Sequence, residues 1–137
     1  MEKNEIFLDF RICDFNDITH EQISKIIELE PTFILKKGTK KYPDNTESTV
    51  TFKENVWIYR IDISGENSFE IQLTSLLNII EPRINLLKPL CEKYYSEFSC
   101  AVFINNNEES TPSIFLDRNY NTIIKELNSE FDLDLYF

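Results

Sequence analysis

The residue types that could carry catalysis are sparse in this sequence. His20 is the only histidine, so a Ser/His/Asp triad, a Cys/His pair or a multi-histidine metal site would have no second imidazole to use. Cys13, Cys91 and Cys100 are odd in number and widely spaced, so neither a disulfide framework nor a zinc site is indicated. The sequence therefore predicts a protein that is not an enzyme and that uses no metal or other cofactor.

Carboxylates are plentiful, and two pairs have spacings that bring their side chains together. Asp132 and Asp134 are two residues apart, so on an extended strand they project from the same side. Glu126 and Glu130 have the i,i+4 spacing of neighbours on a helix. General acid and base catalysis needs a carboxylate whose pKa is shifted, and nothing around these residues predicts burial. We interpret the four residues as an acidic recognition surface.

The one basic cluster of the sequence surrounds a glycine, which could let the backbone approach an anion. Neither the phosphate-binding nor the dinucleotide-binding glycine motif accompanies it. An anion or small-molecule site in which this loop and a tryptophan line a cleft is therefore a second hypothesis. Its residues would be Lys36, Lys37, Gly38, Lys40, Lys41 and Trp57.

Composition and charge restrict the class of protein. A chain of 137 residues with 42% hydrophobic residues and two glycines suits a single globular domain, residues 1–137. The net charge of −10 opposes attraction to nucleic acid and to anionic membranes, so neither is expected as a partner. The first residues lack the basic segment and long apolar run of a signal peptide, and no later apolar run is long enough to span a membrane. These features predict a cytoplasmic protein.

Alternating patterns predict the strands. Leu8, Phe10 and Ile12 alternate with Asp9 and Arg11, so the first strand has one apolar and one charged face. The last seven residues alternate apolar and acidic, which predicts a half-buried terminal strand. The strands are predicted from residue 6 and at 32–35, 50–63, 98–104, 113–116 and 131–137, with a hairpin within 50–63 as an alternative.

Capping residues and apolar periodicity predict three helices between these strands. Thr19 is the first predicted cap, and Gln22, three residues later, completes a capping box with it. Pro82 removes an amide donor from the long second helix, which predicts a kink or break near Glu81. The helix caps are predicted at Thr19, at Asn67, and at Asp117 or Asn119.

The resulting element order is β-α-β-β-α-β-β-α-β. Amphipathic helices between alternating strands favour an α+β fold in which the helices pack on one face of a mixed or antiparallel sheet. We expect a ferredoxin-like core with an added strand and helix.

Several short features occur in an order that resembles the bacterial family known as domain of unknown function 4279. The resemblance spans nearly the whole chain and implies a small intracellular domain without an assigned activity, of a class whose members are candidates for immunity proteins of toxin systems. It carries no functional residue with it. The features are Glu30-Pro31-Thr32, Lys37-Gly38, Trp57, Glu81-Pro82 and Asp132-Leu133-Asp134-Leu135-Tyr136.

Two functional hypotheses follow. The first is a non-enzymatic interaction protein, an immunity protein that binds and occludes a basic toxin through Glu126, Glu130, Asp132 and Asp134. The second is the small-molecule or anion-binding regulatory domain built on the 36–41 loop. Dimerisation through an edge strand, the terminal one included, is compatible with both.

Overall fold

This computed structural model describes residues 2–137 of the chain. They form a five-stranded sheet with helices on one side. In chain order the strands and helices are β1 (Glu5–Cys13), α1 (His20–Ile27), β2 (Phe33–Leu35), β3 (Val56–Arg60), α2 (Phe69–Ile80), a 3-10 helix (Glu81–Arg83), α3 (Ile84–Lys93), β4 (Tyr95–Phe103), α4 (Arg118–Leu127) and β5 (Glu130–Tyr136).

The strands lie in the order β2-β3-β1-β4-β5. The neighbours among β1 to β4 are antiparallel, whereas β5 runs parallel to β4. Helix α4 supplies the crossover that a parallel connection needs. The predicted α+β class is confirmed, and of the two sheet types left open by the sequence, mixed or antiparallel, the structure shows the mixed one.

The predicted element order is wrong in its second half. No strand forms at 113–116, where Ile114 and Leu116 pack against the core from an irregular segment. The sheet position beside β4 is taken by β5 instead, so this segment has no strand to pair with. The chain therefore follows β-α-β-β-α-α-β-α-β, not the six-stranded order expected for the extended ferredoxin-like fold.

The predicted strand at 50–63 shortens to β3. Residues 36–55 form an excursion whose two arms meet at a single bridge between Lys40 and Thr51. The amide of Lys41 also donates to the carbonyl of Val50 at 2.9 Å. The β-branched residues at 50 and 51 therefore lie in a surface loop and do not extend the sheet.

The helix boundaries follow local chemistry. Thr19 and Gln22 form the predicted capping box of α1, and the Asp117 carboxylate caps α4 by accepting from the amide of Tyr120 at 2.7 Å. The cap of α2 is Ser68 and not the predicted Asn67, since the Ser68 hydroxyl accepts from the amide of Ile71. The predicted break near Glu81 is confirmed by the 3-10 helix that separates α2 from α3.

The main core lies between the helices and the sheet. Leu8, Phe10 and Ile12 of β1 are fully buried there, as the alternation predicts. The terminal strand is confirmed, but its predicted half-burial holds only for Phe131, because Leu133 and Leu135 are 41% and 55% exposed at the edge of the sheet. No helix among residues 2–137 is long and apolar enough to cross a membrane.

Candidate functional site

No helix packs on the side of the sheet opposite the main core, and we call it the open face, although Cys13, Val56 and Ile58 form a small buried cluster on it. Sheet register aligns charged side chains across it. Arg11 on β1, Glu97 on β4 and Glu130 on β5 form one row. In the adjacent row Asp132 lies beyond Ser99. Because side chains two apart on a strand share a side, Glu130, Asp132 and Asp134 all project from the open face.

A buried carboxylate organises the β1 and β3 half of the open face. The side chain of Asp9 is 2% exposed and lies opposite Arg60 in the register of β1 and β3. Arg60 donates from Nε at 2.5 Å and from Nη2 at 3.1 Å, and Arg11 donates from Nη2 at 3.0 Å. Two guanidinium groups thus surround one nearly buried carboxylate and pair its charge.

Aromatic rings pack against Arg60, and a row of further rings extends across the sheet to β5. The Arg60 guanidinium lies 4.8 Å from the ring centre of Phe7 and 5.1 Å from that of Phe33. Phe7 meets Phe103 edge to face at 5.7 Å, and Phe103 stacks on Tyr136 at 4.8 Å. Large rings that are rigid and partly exposed are typical anchors of protein interfaces.

The β4 and β5 half of the open face is acidic. We call Glu97, Glu130, Asp132 and Asp134 the acidic cluster. The pKa of Glu97 is raised above its ordinary value, first because the side chain is partly buried and next because the charge of Asp132 repels its ionised form. The hydroxyl of Tyr95 lies 3.3 Å from carboxylate oxygens of both Glu97 and Glu130, and its single proton can be donated to either one. Negative charge is therefore concentrated on this half of the face.

The fourth carboxylate predicted for this surface lies elsewhere. Glu126 is on α4, in the helix layer, and accepts from Lys88 Nζ of α3 at 3.0 Å. The i,i+4 spacing with Glu130 does not bring the two together, because α4 ends at Leu127 and Asn128 adopts a left-handed conformation before β5 begins. The structure therefore brings together Glu130, Asp132 and Asp134 and leaves Glu126 out.

The residues of the lysine-loop hypothesis are also divided. Lys36 and Lys37 line a cleft of about 500 Å³, together with Thr39, Asn55 and His20. Gly38 has a φ of +84°, so its conformation is one that other residues rarely adopt. Lys40 and Lys41 lie further along the excursion, where the backbone of each is tied to the opposite arm.

Trp57 cannot line that cleft. The side chain is fully buried on the helix side of the sheet, and its Nε1 donates to the Ser24 hydroxyl at 3.0 Å. The expectation of a shared site fails because Trp57 alternates toward the core, where its buried indole amide needs a hydrogen-bond partner.

The side chains that the sequence suggested as chemical groups are structural. His20 is buried, and its Nε2 lies 2.9 Å from the carbonyl oxygen of Leu35. The thiols of Cys13, Cys91 and Cys100 are free and buried, and burial raises the pKa of Cys13 and of Cys100 to about 12. Thiols with such values stay protonated and are poor nucleophiles. Within residues 2–137 no group of three His, Cys, Asp or Glu residues could hold a metal ion.

The comparison with known families identifies the chain. The model of the family described as Domain of unknown function (DUF4279) matches residues 4–137. The chain belongs to this family. The resemblance seen in the sequence of this DUF4279 member is thereby confirmed over nearly its whole length. No curated protein and no solved structure matches it.

Most of the features that carried the DUF4279 resemblance serve the fold. Trp57 fills the core, and Glu81 with Pro82 forms the 3-10 helix between α2 and α3. The acidic segment of β5 is different, because its carboxylates project from the open face and none of them forms an ion pair among the described residues.

Sequence reasoning missed three residues of the open face. Tyr95 and Glu97 lie before residue 98, where the apolar run starts, although β4 begins at Tyr95. Extending the period-two pattern backward from Phe98 would have placed Glu97 opposite the core. Arg60 gave no local signal, because it is paired with Asp9 only through the register of β1 and β3.

Proposed function

We propose that this protein is a non-enzymatic interaction domain, a bacterial immunity protein that binds and occludes a cognate toxin. The observation that supports this proposal is the acidic cluster on the open face, where Glu97, Glu130, Asp132 and Asp134 lie on adjacent strands with no helix above them. The buried thiols and the structural role of His20 offer no competing chemistry.

Charge supplies the selectivity of the proposed interaction. Toxins that attack nucleic acid present basic surfaces around their active sites, because they must bind phosphates. A protein of net charge −10 attracts such a partner over long range, and the acidic cluster orients it. Occlusion then requires only that the open face cover the partner's basic surface.

Aromatic side chains beside the acidic cluster supply the short-range contacts of the proposed interaction. Tyr136 is 48% exposed and stacks on Phe103, so its ring is held in one orientation before a partner arrives. Burying a preorganised ring costs less conformational entropy than burying a flexible side chain. The partner surface should therefore place an apolar group beside its basic residues.

The first test is an affinity capture from host lysate at low and moderate salt, with mass spectrometry of the bound proteins. The wild type is compared with the triple variant E130Q/D132N/D134N. A matched control, D44N/E47Q/E126Q, removes the same number of charges from residues that lie on none of the five strands. We expect a stoichiometric basic partner with the wild type and the control, and its loss with the open-face variant.

The comparison of the two variants separates binding through the open-face carboxylates from binding through the net charge of the protein. If both variants lose the partner equally, net charge and not the open face determines binding. If both retain it, the acidic cluster is not the contact surface. Either result contradicts the proposed site, provided that circular dichroism shows all three proteins folded.

The cleft at Lys36 and Lys37 favours a second candidate, an anion-binding regulatory domain. Lys36, Lys37 and Asn55 line one cavity, although the side-chain amide of Asn55 already donates to the carbonyl of Phe15. Binding of inorganic phosphate or a nucleotide to the folded state would raise the melting temperature. We expect that rise to disappear in K36Q/K37Q and to persist in K40Q/K41Q. A rise that is equal in both variants would contradict this candidate.

A further inference from the structure

The outer edge of β5 carries backbone groups that the sheet does not use. The carbonyl of Tyr136 accepts from the amide of Ile104 at 2.8 Å, so the polar groups of Tyr136 point toward β4. Backbone direction alternates along a strand, so the amides and carbonyls of Phe131, Leu133 and Leu135 point away from β4. Among residues 2–137 no strand pairs with β5 on that side.

The other edge of the sheet offers fewer free backbone groups. The opposite edge is β2, which has only three residues, whereas β5 has seven. Short edge strands are a common protection against pairing with another chain, and β5 lacks that protection. An additional strand would therefore find more backbone partners along β5 than along β2.

The side chains of β5 define what such a strand must look like. Toward the open face it presents Asp132 and Asp134, and toward the helix side it presents Leu133 and Leu135, which are 41% and 55% exposed. Residues directly opposite each other on neighbouring strands share a side of the sheet. A complementary strand would carry basic side chains on one side and apolar side chains on the other.

The same pattern opposes pairing with a second copy of this chain. In a symmetric antiparallel pair of β5 edges, the carboxylates of one copy would lie opposite those of the other on the same side of the sheet. Like charges directly opposite each other destabilise a strand pair. The edge is thus selective for a strand of opposite charge.

We propose that β5 binds an extended segment of the partner as a sixth strand, and that alternate side chains of this segment are basic and apolar. This inference rests on the proposed function and specifies how the basic partner is held. Backbone hydrogen bonds to Phe131, Leu133 and Leu135 supply affinity, and the alternating side chains supply specificity.

The test uses three peptides, the unmodified protein and the variant E130Q/D132N/D134N. The first peptide alternates valine and lysine over seven residues. The second has the same composition in two blocks, and the third alternates but is N-methylated at the residues whose amides would face β5. Binding is measured by calorimetry, and the exchange of the Leu133 and Leu135 amides is followed by NMR. We expect the alternating peptide to bind about tenfold more tightly than the other two, since they lose hydrogen bonds or side-chain pairing.

Slower exchange of the Leu133 and Leu135 amides with the alternating peptide alone would agree with strand addition. Equal affinity of all three peptides, lost in E130Q/D132N/D134N, would overturn strand addition and leave the charge-based function standing. Absence of binding by any peptide would overturn strand addition as well. The proposed function itself fails separately, if the lysate capture does not depend on the open-face carboxylates.

Discussion

Asp9 and Glu97 show how differently two carboxylates behave on one sheet face. Asp9 is nearly removed from water and accepts hydrogen bonds from Arg11 and Arg60, so its charge is paired. Glu97 faces Arg11 on one side and Glu130 on the other, with Asp132 close enough to raise its pKa. Asp9 therefore stabilises the open face by pairing with two arginines, whereas Glu97 belongs to a group of carboxylates that repel one another.

Replacing Asp9 with asparagine should destabilise the fold. The two guanidinium groups would lose the charge between them and repel each other, and the amide cannot accept all three of their hydrogen bonds. We expect a loss of about 2–3 kcal/mol in the free energy of unfolding, since the arginines are partly exposed. Urea denaturation measures this loss, and D62N, at an exposed position two residues after Arg60, serves as the control. Equal effects of the two changes would contradict the structural role of Asp9.

Replacing Glu97 with glutamine should have the opposite sign at neutral pH. The pKa of this carboxyl is raised in the folded state, so the folded protein binds the proton more tightly than the unfolded chain does. The contribution of Glu97 to stability therefore falls as the pH rises above 4.5, the ordinary pKa of the group. Glutamine removes that cost. We expect E97Q to be more stable than the wild type at neutral pH by up to about 1 kcal/mol, because the site is partly exposed to solvent.

The pH dependence distinguishes this cause from a simple packing effect. Below the ordinary pKa of 4.5 the wild-type carboxyl is protonated in both states, so the advantage of E97Q should vanish there. Thermal unfolding of both proteins across the acidic range provides the measurement. An advantage that is the same at every pH would show that the charge of Glu97 is not responsible.

At the scale of secondary structure, the break between α2 and α3 has a structural use beyond the change of direction. Arg83 lies in the 3-10 helix, where its Nε and Nη2 donate to the carbonyls of Ile27 and Glu28 at 3.1 Å. Its Nη1 donates to the carbonyl of Ile79 at 2.9 Å. One guanidinium thus binds carbonyls at the C-terminal ends of both α1 and α2.

Lysine at position 83 should fail to replace this arginine. An ammonium group lacks the planar fork that reaches three carbonyls at once. We expect R83K to lower the free energy of unfolding by about 1–3 kcal/mol. The control is R118K, the same change in the exposed first turn of α4. Chemical denaturation that finds R83K and R118K alike would show that the fork at Arg83 is dispensable.

At the scale of the whole molecule, net charge and the acidic β5 edge act together on association. The charge of −10 makes copies of the chain repel each other, and edge pairing would add the local repulsion between carboxylates. Screening by salt weakens both effects. We therefore expect charge, and not a covering element, to protect the open edge from self-association.

We expect the wild type to sediment as a monomer at low salt, and the variant E130Q/D132N/D134N to self-associate more strongly under the same conditions. The control D44N/E47Q/E126Q has the same net charge and should remain monomeric, because its β5 edge is unchanged. Sedimentation velocity at several concentrations measures both. A wild-type dimer, or equal association of the two variants, would contradict protection by the β5 carboxylates.

Elements with a strong local signal were predicted correctly. The capping box at Thr19, the alternation of β1 and the break near Glu81 depend on neighbouring residues in the chain. The strand expected at 113–116 failed because its pattern fits any apolar segment packed on a core, and only the sheet shows that β5 takes the place beside β4. The lysine-loop site with Trp57 failed for the same kind of reason, since residue type does not reveal which way a side chain points.

By itself, the sequence determined that Asp132 and Asp134 project together, because the pleat of a strand fixes the direction of side chains two residues apart. It also determined the family of the chain and its net charge. Only the tertiary structure decided that these carboxylates join Glu97 on the sheet face without helices and that Glu126 lies apart from them. Sheet register between distant segments depends on the packing of the entire core, and no local pattern contains that information.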